Sequence, residues 1–312
     1  DIPGLVPTWH IDCHDAEATI AYREAGDHGN FGTLGLEDAP FTVLPHMGEE
    51  PCFTGSRGSG TIFFTGCSCH CFFCQNWQIS NGHGDGRVVS AEEFHHIALS
   101  LVECGVHNLN FVTPDHFWPH IAALCRRLRD EGVQIPFLFN SSGYQLPAMV
   151  AEYAALMDIF MPDFKFADPA LARRVLRDER YPEIALEALR IMVAEKGFLE
   201  PFDPSGQHPA KRGVLVRHLV LPGLVDNTLR VLNLLRAEFG RWLPISLMSQ
   251  YKPTPAARQH PDFDRHLSCE EYQTALAHAQ ALGFENLLVQ PLATTDDFFP
   301  DFQRPKPFRG NP

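Results

Sequence analysis

Short apolar segments and longer amphipathic segments follow one another along most of the chain. Apolar runs of roughly four to eight residues bounded by glycine, proline or polar residues predict strands. They lie at residues 61–65, 108–113, 135–139, 158–162, 214–221, 244–248 and 286–289. Periodicity near 3.6 residues predicts helices at 90–103, 117–130, 147–156, from 169, and at 182–195, 227–239 and 268–282. This repeated order predicts an α/β fold of parallel strands with helices outside.

Polar residues recur where the predicted strands end. In parallel α/β folds, functional residues collect at the C-terminal ends of the strands. Here these ends carry Cys67, Thr113, Asn140 to Ser142, Asp163, Lys165, Arg217, Gln250 and Tyr251. The recurrence predicts an active site at this rim. Taken singly, Asp163 and Lys165 can also be a surface pair, and the segment from Asn140 can be only a turn. Arg217 lies in an apolar strand, where a buried charge needs a partner.

The two ends of the chain differ from this pattern. Residues 1–55 lack a clear period and are predicted to be an irregular N-terminal extension with one short helix at about residues 15–24. Its histidines and cysteine, namely His10, Cys13, His14 and His28, are either a second metal site or unrelated residues. The proline-rich residues 296–312 are predicted to be a tail, as a surface strap or a frayed end. The predicted domains are therefore 1–55, 56–295 and 296–312.

Composition narrows the class of protein. The chain has 312 residues, of which 45% are hydrophobic and 20% charged, as expected for a soluble globular protein with an ample core. A formal charge of −13 without a basic stripe predicts no nucleic-acid partner. No apolar run is long enough to cross a bilayer, so no membrane partner is expected. Clustered cysteines predict a reducing, cytoplasmic setting.

The strongest chemical signal is a cysteine-rich loop directly after the first long predicted strand. Cys67, Cys71 and Cys74 have the spacing C-x3-C-x2-C, and Phe73 precedes the last of them. Three thiolates from one loop can bind three irons of a cubane cluster and leave the fourth iron open. An open metal position can bind and activate a small molecule. Cys69 falls inside the first gap and is interpreted as a bystander or a spare ligand.

Three other interpretations of this loop remain. A zinc ion bound by all four thiols is disfavoured, because structural zinc sites usually draw ligand pairs from separated segments. Disulfides are disfavoured by the odd total of nine cysteines and by their clustering. Inert core cysteines are disfavoured because four of them crowd between Gly66 and Gln75.

The loop and the strand-end residues together resemble the radical S-adenosylmethionine (SAM) enzymes. Within these, the chain resembles the pyruvate formate-lyase activating enzymes, most closely a PflX-type branch. The matching phrases, within about residues 49–292, are Gly-Ser-Gly-Thr-Ile-Phe-Phe-Thr-Gly-Cys67, Cys-Gln-Asn-Trp77, Pro-Asp-Phe-Lys165, Arg-His-Leu-Val-Leu-Pro-Gly223 and Leu-Met-Ser-Gln-Tyr251. The resemblance implies a partial (β/α)6 barrel that is open on one side.

The resemblance also implies cofactors. Cys67, Cys71 and Cys74 would bind a [4Fe–4S] cluster whose open iron takes the amino and carboxylate groups of SAM. The residues implied around SAM are Phe73 and Leu219 at the adenine, Asn140 and Ser142 at the ribose, Thr113 at the amino group, Lys165 and Arg217 at the carboxylate, and Gln250 on the rim. Thr113 stands where the family has a glycine–glycine–glutamate motif, so backbone oxygens are expected to replace that contact. Asn140, Ser141, Met161 and Asp163 correspond to a monovalent cation site, expected near Asp163.

The resemblance implies reductive cleavage of SAM to methionine and a 5′-deoxyadenosyl radical. Its first implied target is a glycine of a glycyl-radical enzyme. A second hypothesis is a peptide or small metabolite, since the N-terminal extension can cap the barrel. A third is a non-catalytic iron–sulfur or zinc protein. No cysteine-rich insertion follows Cys74, so the expected electron donor is an external flavodoxin or ferredoxin.

Overall fold

The computed structural model describes residues 46–80, 87–292 and 299–302, and the backbone of one strand near the N-terminus. That strand, β1 (Glu17–Ile20), pairs antiparallel with β3 (Arg87–Ser90). The helix predicted at residues 15–24 is therefore wrong at its centre. Pairing with a distant strand overrides the local preference of such a short segment. The grouped residues His10, Cys13, His14 and His28 lie outside the described residues.

Parallel strands form the body of the molecule. They are β2 (Gly60–Phe63), β4 (Leu109–Val112), β5 (Phe137–Ser141), β6 (Ile159–Pro162), β7 (Gly213–Val214), β8 (Val216–Leu219), β9 (Ile245–Met248) and β10 (Leu287–Val289). Strands β2-β4-β5-β6-β7 form one sheet and β8-β9-β10 another. A parallel bridge between Asp163 and Arg217 joins the two, and Phe164 N donates to Arg217 O at 2.8 Å. No pairing joins β2 to β10 among the described residues. The predicted partial barrel is confirmed.

The helices lie where the periodicity predicts them, with two short additions near the N-terminal side. They are α1 (Pro51–Thr54), α2 (Trp77–Ser80), α3 (Ala91–Glu103), α4 (Trp118–Asp130), α5 (Pro147–Leu156), α6 (Pro169–Leu176), α7 (Tyr181–Lys196), α8 (Val225–Phe239) and α9 (Cys269–Ala281). Helix α3 begins with a capping box at Ser90. Glu93 N donates to Ser90 Oγ at 3.2 Å, and Ser90 N donates to Glu93 Oε2 at 3.1 Å. The predicted strand 214–221 is divided into β7 and β8, which pair in different sheets.

Each strand presents alternate residues to the helices and to the barrel interior. On the helix side, Phe111, Phe139 and Phe160 are fully buried in the main apolar core. On the other side, the lower barrel interior is filled by a separate apolar cluster that includes Leu138 and Ile159. The barrel thus has an apolar layer under the helices and another in its lower interior. Its polar groups lie in the upper interior.

Helix α1 closes the barrel at the N-terminal ends of the strands. Its Cys52 and Phe53 are fully buried and belong to the lower interior cluster. Asn108 Nδ2 donates to Phe53 O at 2.9 Å, and Ala210 N donates to Cys52 O at 2.8 Å. Because both donors lie just before barrel strands, these bonds fix α1 at that end. The predicted domain boundary at residue 55 stays a prediction.

The described part of the C-terminal segment is a strap rather than a frayed end. Phe302 is 6% exposed and packs on Ile79 and Phe63, with 5.3 Å between the ring centroids of the two phenylalanines. Phe302 N donates to Gln78 Oε1 at 2.7 Å, and Gln78 Nε2 donates to Asp301 Oδ1 at 3.1 Å. The strap lies beside β2, the first strand of the open barrel. Within the described residues, no helix is both long and apolar enough to span a membrane.

We expect Phe53→Ala to lower the free energy of unfolding by about 3–5 kcal/mol, because it leaves a cavity in the closed end of the barrel. Urea denaturation followed by circular dichroism measures this. Trp242→Ala, at an aromatic residue that is 52% exposed, is the control and should cost less than about 1 kcal/mol. Equal losses for the two variants would show that α1 is not part of the folded core.

Candidate functional site

A cavity of about 600 Å³ opens at the C-terminal ends of the strands and extends into the barrel. It is lined by every residue predicted from the sequence to contact the cluster or SAM. These residues are Cys67, Cys71, Cys74, Phe73, Thr113, Asn140, Ser142, Asp163, Lys165, Arg217, Leu219 and Gln250, and Ser141 joins them. Met161, which the resemblance placed at the cation site with Asn140, Ser141 and Asp163, does not line the cavity. Its side chain packs in the lower apolar cluster. The monovalent cation near Asp163 stays a prediction.

The cavity wall is layered. The cysteine loop, Lys165 and Gln250 lie at and beyond the strand ends. An apolar layer follows, formed by Phe63, Val112, Leu219 and Met248. Two residues earlier on their strands, Arg217 and Ser246 line the cavity together with Glu49 and Glu50. Residues two apart on a strand share a face and are about 7 Å apart along it. Along β8 and β9 the wall therefore passes from a polar rim through an apolar collar to a charged floor, whereas Asp163 on the neighbouring chain segment stands in register with Arg217.

The cysteine loop is held by hydrogen bonds on both sides. Gly66 turns the chain with a φ of 86°, which favours glycine, and its N–H donates to Ile79 O at 2.8 Å. Thr254 Oγ1 donates to Phe72 O at 2.6 Å. These contacts fix the loop above the barrel mouth.

Gln250 connects the cysteine loop to the barrel through side-chain hydrogen bonds. Gln250 Nε2 donates to Gln75 Oε1 at 2.7 Å, and Gln75 Nε2 returns a bond to Gln250 O at 2.8 Å. Gln290 Nε2 then donates to Gln250 Oε1 at 2.7 Å. This glutamine chain links the residue after Cys74 to the ends of β9 and β10. Gln75 and Gln290 were not predicted, since nothing local in the sequence pairs them.

The thiols fit a metal cluster rather than free thiolates. A hydrogen bond with Cys69, together with burial, raises the pKa of Cys67, and burial raises the pKa of Cys74 to about 11. Such thiols stay protonated unless a bound cation displaces the proton. Cysteine sulfur is the ligand that iron–sulfur clusters use.

A single zinc ion fits the loop less well. Four sulfurs around zinc lie about 3.8 Å apart, given a Zn–S distance of about 2.3 Å. Among the described residues, the one group of three or more metal-binding side chains this close together is Glu92, His95 and His96 on α3. A cubane spreads its three ligands over separate irons, so wider spacing suits it. The loop therefore favours the cluster.

Lys165 is a buried cation at the rim. Its Nζ pairs with Asp163 Oδ2. Burial opposes the charge, but the Asp163 carboxylate and the nearby cysteines raise the pKa of Lys165 well above its usual value. The interpretation of these two residues as a surface pair is therefore wrong. Tyr181 supports them, since Lys165 N donates to Tyr181 Oη at 2.9 Å. Tyr181 lies at the start of α7 and was missed by the sequence reasoning.

The Asn140 segment is both a turn and a cavity wall. Tyr181 Oη donates to Ser142 O at 3.1 Å, which fixes the turn against α7. Gly143 has a φ of 78°, and a Cβ there would lie 1.9 Å from Asp163 O. Only glycine fits this position, so the end of β5 and the end of β6 can approach each other.

Thr113 has a backbone conformation that glycine normally adopts. Its φ is 54°, while its N–H donates to Asn140 O at 2.8 Å. A β-branched residue in the left-handed region is strained by about 1–3 kcal/mol. Strain of this kind collects at functional sites, and Thr113 lies on the cavity wall.

Arg217 is neutralised by two carboxylates that sequence reasoning missed. Its Nε donates to Glu50 Oε1 at 2.8 Å, and its Nη2 contacts both Glu49 and Glu50. The side chain is 13% exposed, and those of the two glutamates are 7% and 8% exposed. The partner expected for a buried arginine is thus supplied by the segment before α1. The signal was the Glu-Glu-Pro sequence at residues 49–51.

Comparisons with known proteins place this cavity in context. A sequence model described as the radical SAM superfamily matches residues 61–235, more than half of the chain. An uncharacterised protein of Methanocaldococcus jannaschii is 27% identical over 254 residues, which cover 78% of this chain and 68% of that protein.

Solved structures give a weaker likeness. Streptococcus suis SuiB bound to precursor peptide SuiA has a TM-score of 0.47 and 10% identity, and the match covers 73% of this chain and 47% of SuiB. SuiB bound to S-adenosylmethionine has the same TM-score and identity, with 76% and 50% covered. The chain thus spans about half the length of these structures, and a likeness at this level adds nothing to the fold described above.

We expect Thr113→Gly to raise the free energy of unfolding by about 1 kcal/mol, because glycine adopts a positive φ without strain. Thermal denaturation measures the change. The control is Thr228→Gly in α8, where a buried threonine in a helix should lose at least about 1 kcal/mol. If the first variant is destabilised as much as the second, Thr113 is not strained.

Proposed function

The chain belongs to the radical SAM superfamily, and from this we propose an enzyme that directs a 5′-deoxyadenosyl radical at a C–H bond of a substrate in the barrel. Members of this superfamily use a [4Fe–4S] cluster and SAM. The observation that carries the proposal is the layered cavity: three cysteines, a buried lysine and an apolar collar line one space.

Cys67, Cys71 and Cys74 would hold the cluster. When bound, the cluster supplies one electron to SAM, whose S–C5′ bond breaks to give methionine and the radical. Lys165 keeps its charge beside the cysteines and can balance the carboxylate of SAM. Phe73 is buried against the cavity and would lie near the adenine. Asn140 and Ser142 would contact the ribose.

The apolar collar protects the radical from side reactions. Phe63, Val112, Leu219 and Met248 offer no polar group to water at the level below the cysteine loop. Because the apolar collar excludes water and lowers the local dielectric constant, it also strengthens the electrostatic contacts that Lys165 makes at the rim. The chain's own residues thus bind, orient and exclude water, while the cofactor carries the bond cleavage.

Electrons would come from a separate protein. Among the described residues, the cysteines outside the loop are Cys52, Cys104, Cys125 and Cys269, which are scattered over α1, the end of α3, α4 and α9. They cannot bind a second cluster together. Cys67 and Cys74 are only partly buried, and they line the cavity at its mouth, where a donor such as flavodoxin or ferredoxin would approach.

Two targets for the radical are proposed. The phrases that resemble the PflX-type branch of the activating enzymes favour a glycine in a glycyl-radical enzyme. The closed end made by α1 favours the second target, a peptide or small metabolite, because it restricts the space below the collar.

Cys71→Ala should bind less iron and form no 5′-deoxyadenosine, because one cluster ligand is lost. The measurement is iron and sulfide content after anaerobic reconstitution, followed by chromatography of products after dithionite and SAM are added. Cys269→Ser, at an exposed position on α9, is the control and should match the unchanged protein. Zinc in place of iron, or product formation by Cys71→Ala, would contradict the proposal.

Deuterium transfer distinguishes the two targets. Extract from cells of the source organism grown in deuterated medium is separated into protein and small-molecule fractions. Each is added to the reconstituted enzyme with SAM and dithionite. A glycyl-radical enzyme as target predicts deuterated 5′-deoxyadenosine only with the protein fraction, together with a radical doublet in the EPR spectrum. Deuterated 5′-deoxyadenosine formed with the small-molecule fraction would indicate a metabolite as target.

A further inference from the structure

The wall of the cavity contains a buried hydroxyl group that makes no hydrogen bond to the chain. Ser80 is the last residue of α2, is 5% exposed and lines the cavity. Its Oγ has no hydrogen-bond partner among the described residues. A buried polar group without a partner is unfavourable. The Ser80 hydroxyl therefore indicates a group that is bound in the cavity and accepts its hydrogen bond.

The hydroxyl does not use the acceptor that a helix offers it. A serine in a helix can donate to the carbonyl of the residue four positions earlier, which for Ser80 is Asn76. The carbonyl of Asn76 accepts from Ser80 N at 2.9 Å and from Ile79 N at 3.0 Å. Ser80 Oγ makes no bond to it. The side chain thus keeps its donor for the cavity.

Contacts on two sides of α2 fix the place of Ser80. Gly66 N donates to Ile79 O at 2.8 Å, which joins α2 to the start of the cysteine loop. On the other side, Phe302 of the C-terminal strap packs on Ile79. Phe302 N also donates to Gln78 Oε1 at 2.7 Å. Because both neighbours of the hydroxyl along α2 are held, its position relative to the cysteine loop is set by the fold.

The group beside this hydroxyl is the last cysteine of the predicted cluster site. Cys74 and Ser80 both line the cavity. Burial raises the pKa of Cys74, and hydrogen bonding from Ser80 opposes that rise, as a donor to a thiolate does. A thiol that binds iron loses its proton and becomes a much stronger acceptor. Ser80 is therefore matched to the metal-bound form of Cys74.

We propose that the Ser80 hydroxyl donates a hydrogen bond to the Cys74 sulfur when the cluster is bound, and so raises the reduction potential of the cluster. Hydrogen bonds to the sulfurs are among the features that set this potential. The reduced cluster carries one more negative charge than the oxidised one, so a donor stabilises the reduced form more. This inference rests on the proposed function, since it concerns the cluster that Cys67, Cys71 and Cys74 would hold.

The test is an EPR-monitored redox titration of the reconstituted protein without SAM. Ser80→Ala removes the hydroxyl and leaves every cluster ligand, so its iron and sulfide content should equal that of the unchanged protein. At one fixed solution potential, its ratio of reduced to oxidised cluster should fall by on the order of tenfold. Ser68→Ala is the matched control and should leave the ratio unchanged. Ser68 lies between two cysteines of the loop but does not line the cavity.

Two further variants separate the hydrogen bond from packing. Threonine and valine have nearly the same shape, but only threonine carries a hydroxyl. Ser80→Thr should therefore keep the ratio of the unchanged protein, and Ser80→Val should lower it as Ser80→Ala does. If Ser80→Ala assembles less cluster, the comparison of Ser80→Thr with Ser80→Val gives the answer.

Resonance Raman spectroscopy detects the hydrogen bond directly. A hydroxyl that is bonded to a cysteine sulfur exchanges its proton in deuterium oxide, and the exchange shifts the iron–thiolate stretching bands. We expect part of this shift to be lost in Ser80→Ala and Ser80→Val. The shift should be retained in Ser80→Thr and in the Ser68→Ala control.

Three results would overturn the inference. Equal ratios in all variants of a protein that binds the cluster and forms 5′-deoxyadenosine would refute this inference alone. Unchanged titrations with weaker SAM binding in Ser80→Ala would show that the hydroxyl donates to SAM instead. A fall in the ratio for Ser68→Ala as large as that for Ser80→Ala would show a general effect of loop substitutions. Failure of the unchanged protein to bind iron would instead refute the proposed function.

Discussion

The buried ion pairs of Arg217 are the constraint on which the cavity depends. A guanidinium inside a barrel must be neutralised, and breaking such a pair from one side costs about 3–5 kcal/mol. Glu49 and Glu50 provide the charge, and they come from outside the strand–helix repeat. Their position fixes the following helix α1 in the barrel end. The closed lower interior therefore depends on these ion pairs together with the apolar contacts and hydrogen bonds of α1.

Much of the fold could be predicted because it depends on local periodicity. Apolar runs located the barrel strands, and periodicity near 3.6 residues located the long helices. Errors occurred where distant contacts decide the structure. The strand at Glu17–Ile20 exists through pairing with β3, and the division of residues 214–221 exists because β7 and β8 pair with different neighbours. Neither contact leaves a local pattern.

The candidate site likewise contains residues that the local sequence predicts and residues that only distant contacts bring together. Strand-end residues could be predicted because the C-terminal ends of parallel strands meet, and the cavity is lined by all of those assigned to SAM or the cluster. Tyr181, Gln75 and Gln290 could not be predicted, since they support the site from a helix start, a loop and a strand end that only the fold brings together. Glu49 and Glu50 carried a weak signal, as acids preceding a proline that begins a helix.

The glutamine chain has a consequence for how the site responds to its surroundings. Gln75, Gln250 and Gln290 join the cysteine loop to the last two strands entirely through neutral amides. Amides do not titrate, and their hydrogen bonds are little affected by dissolved salt. The attachment of the loop to the barrel is therefore insulated from acidity and ionic strength, whereas the ionised residues deeper in the barrel are not. Changes in pH or salt concentration that weaken the ion pairs inside the barrel would therefore leave the position of the cysteine loop unchanged.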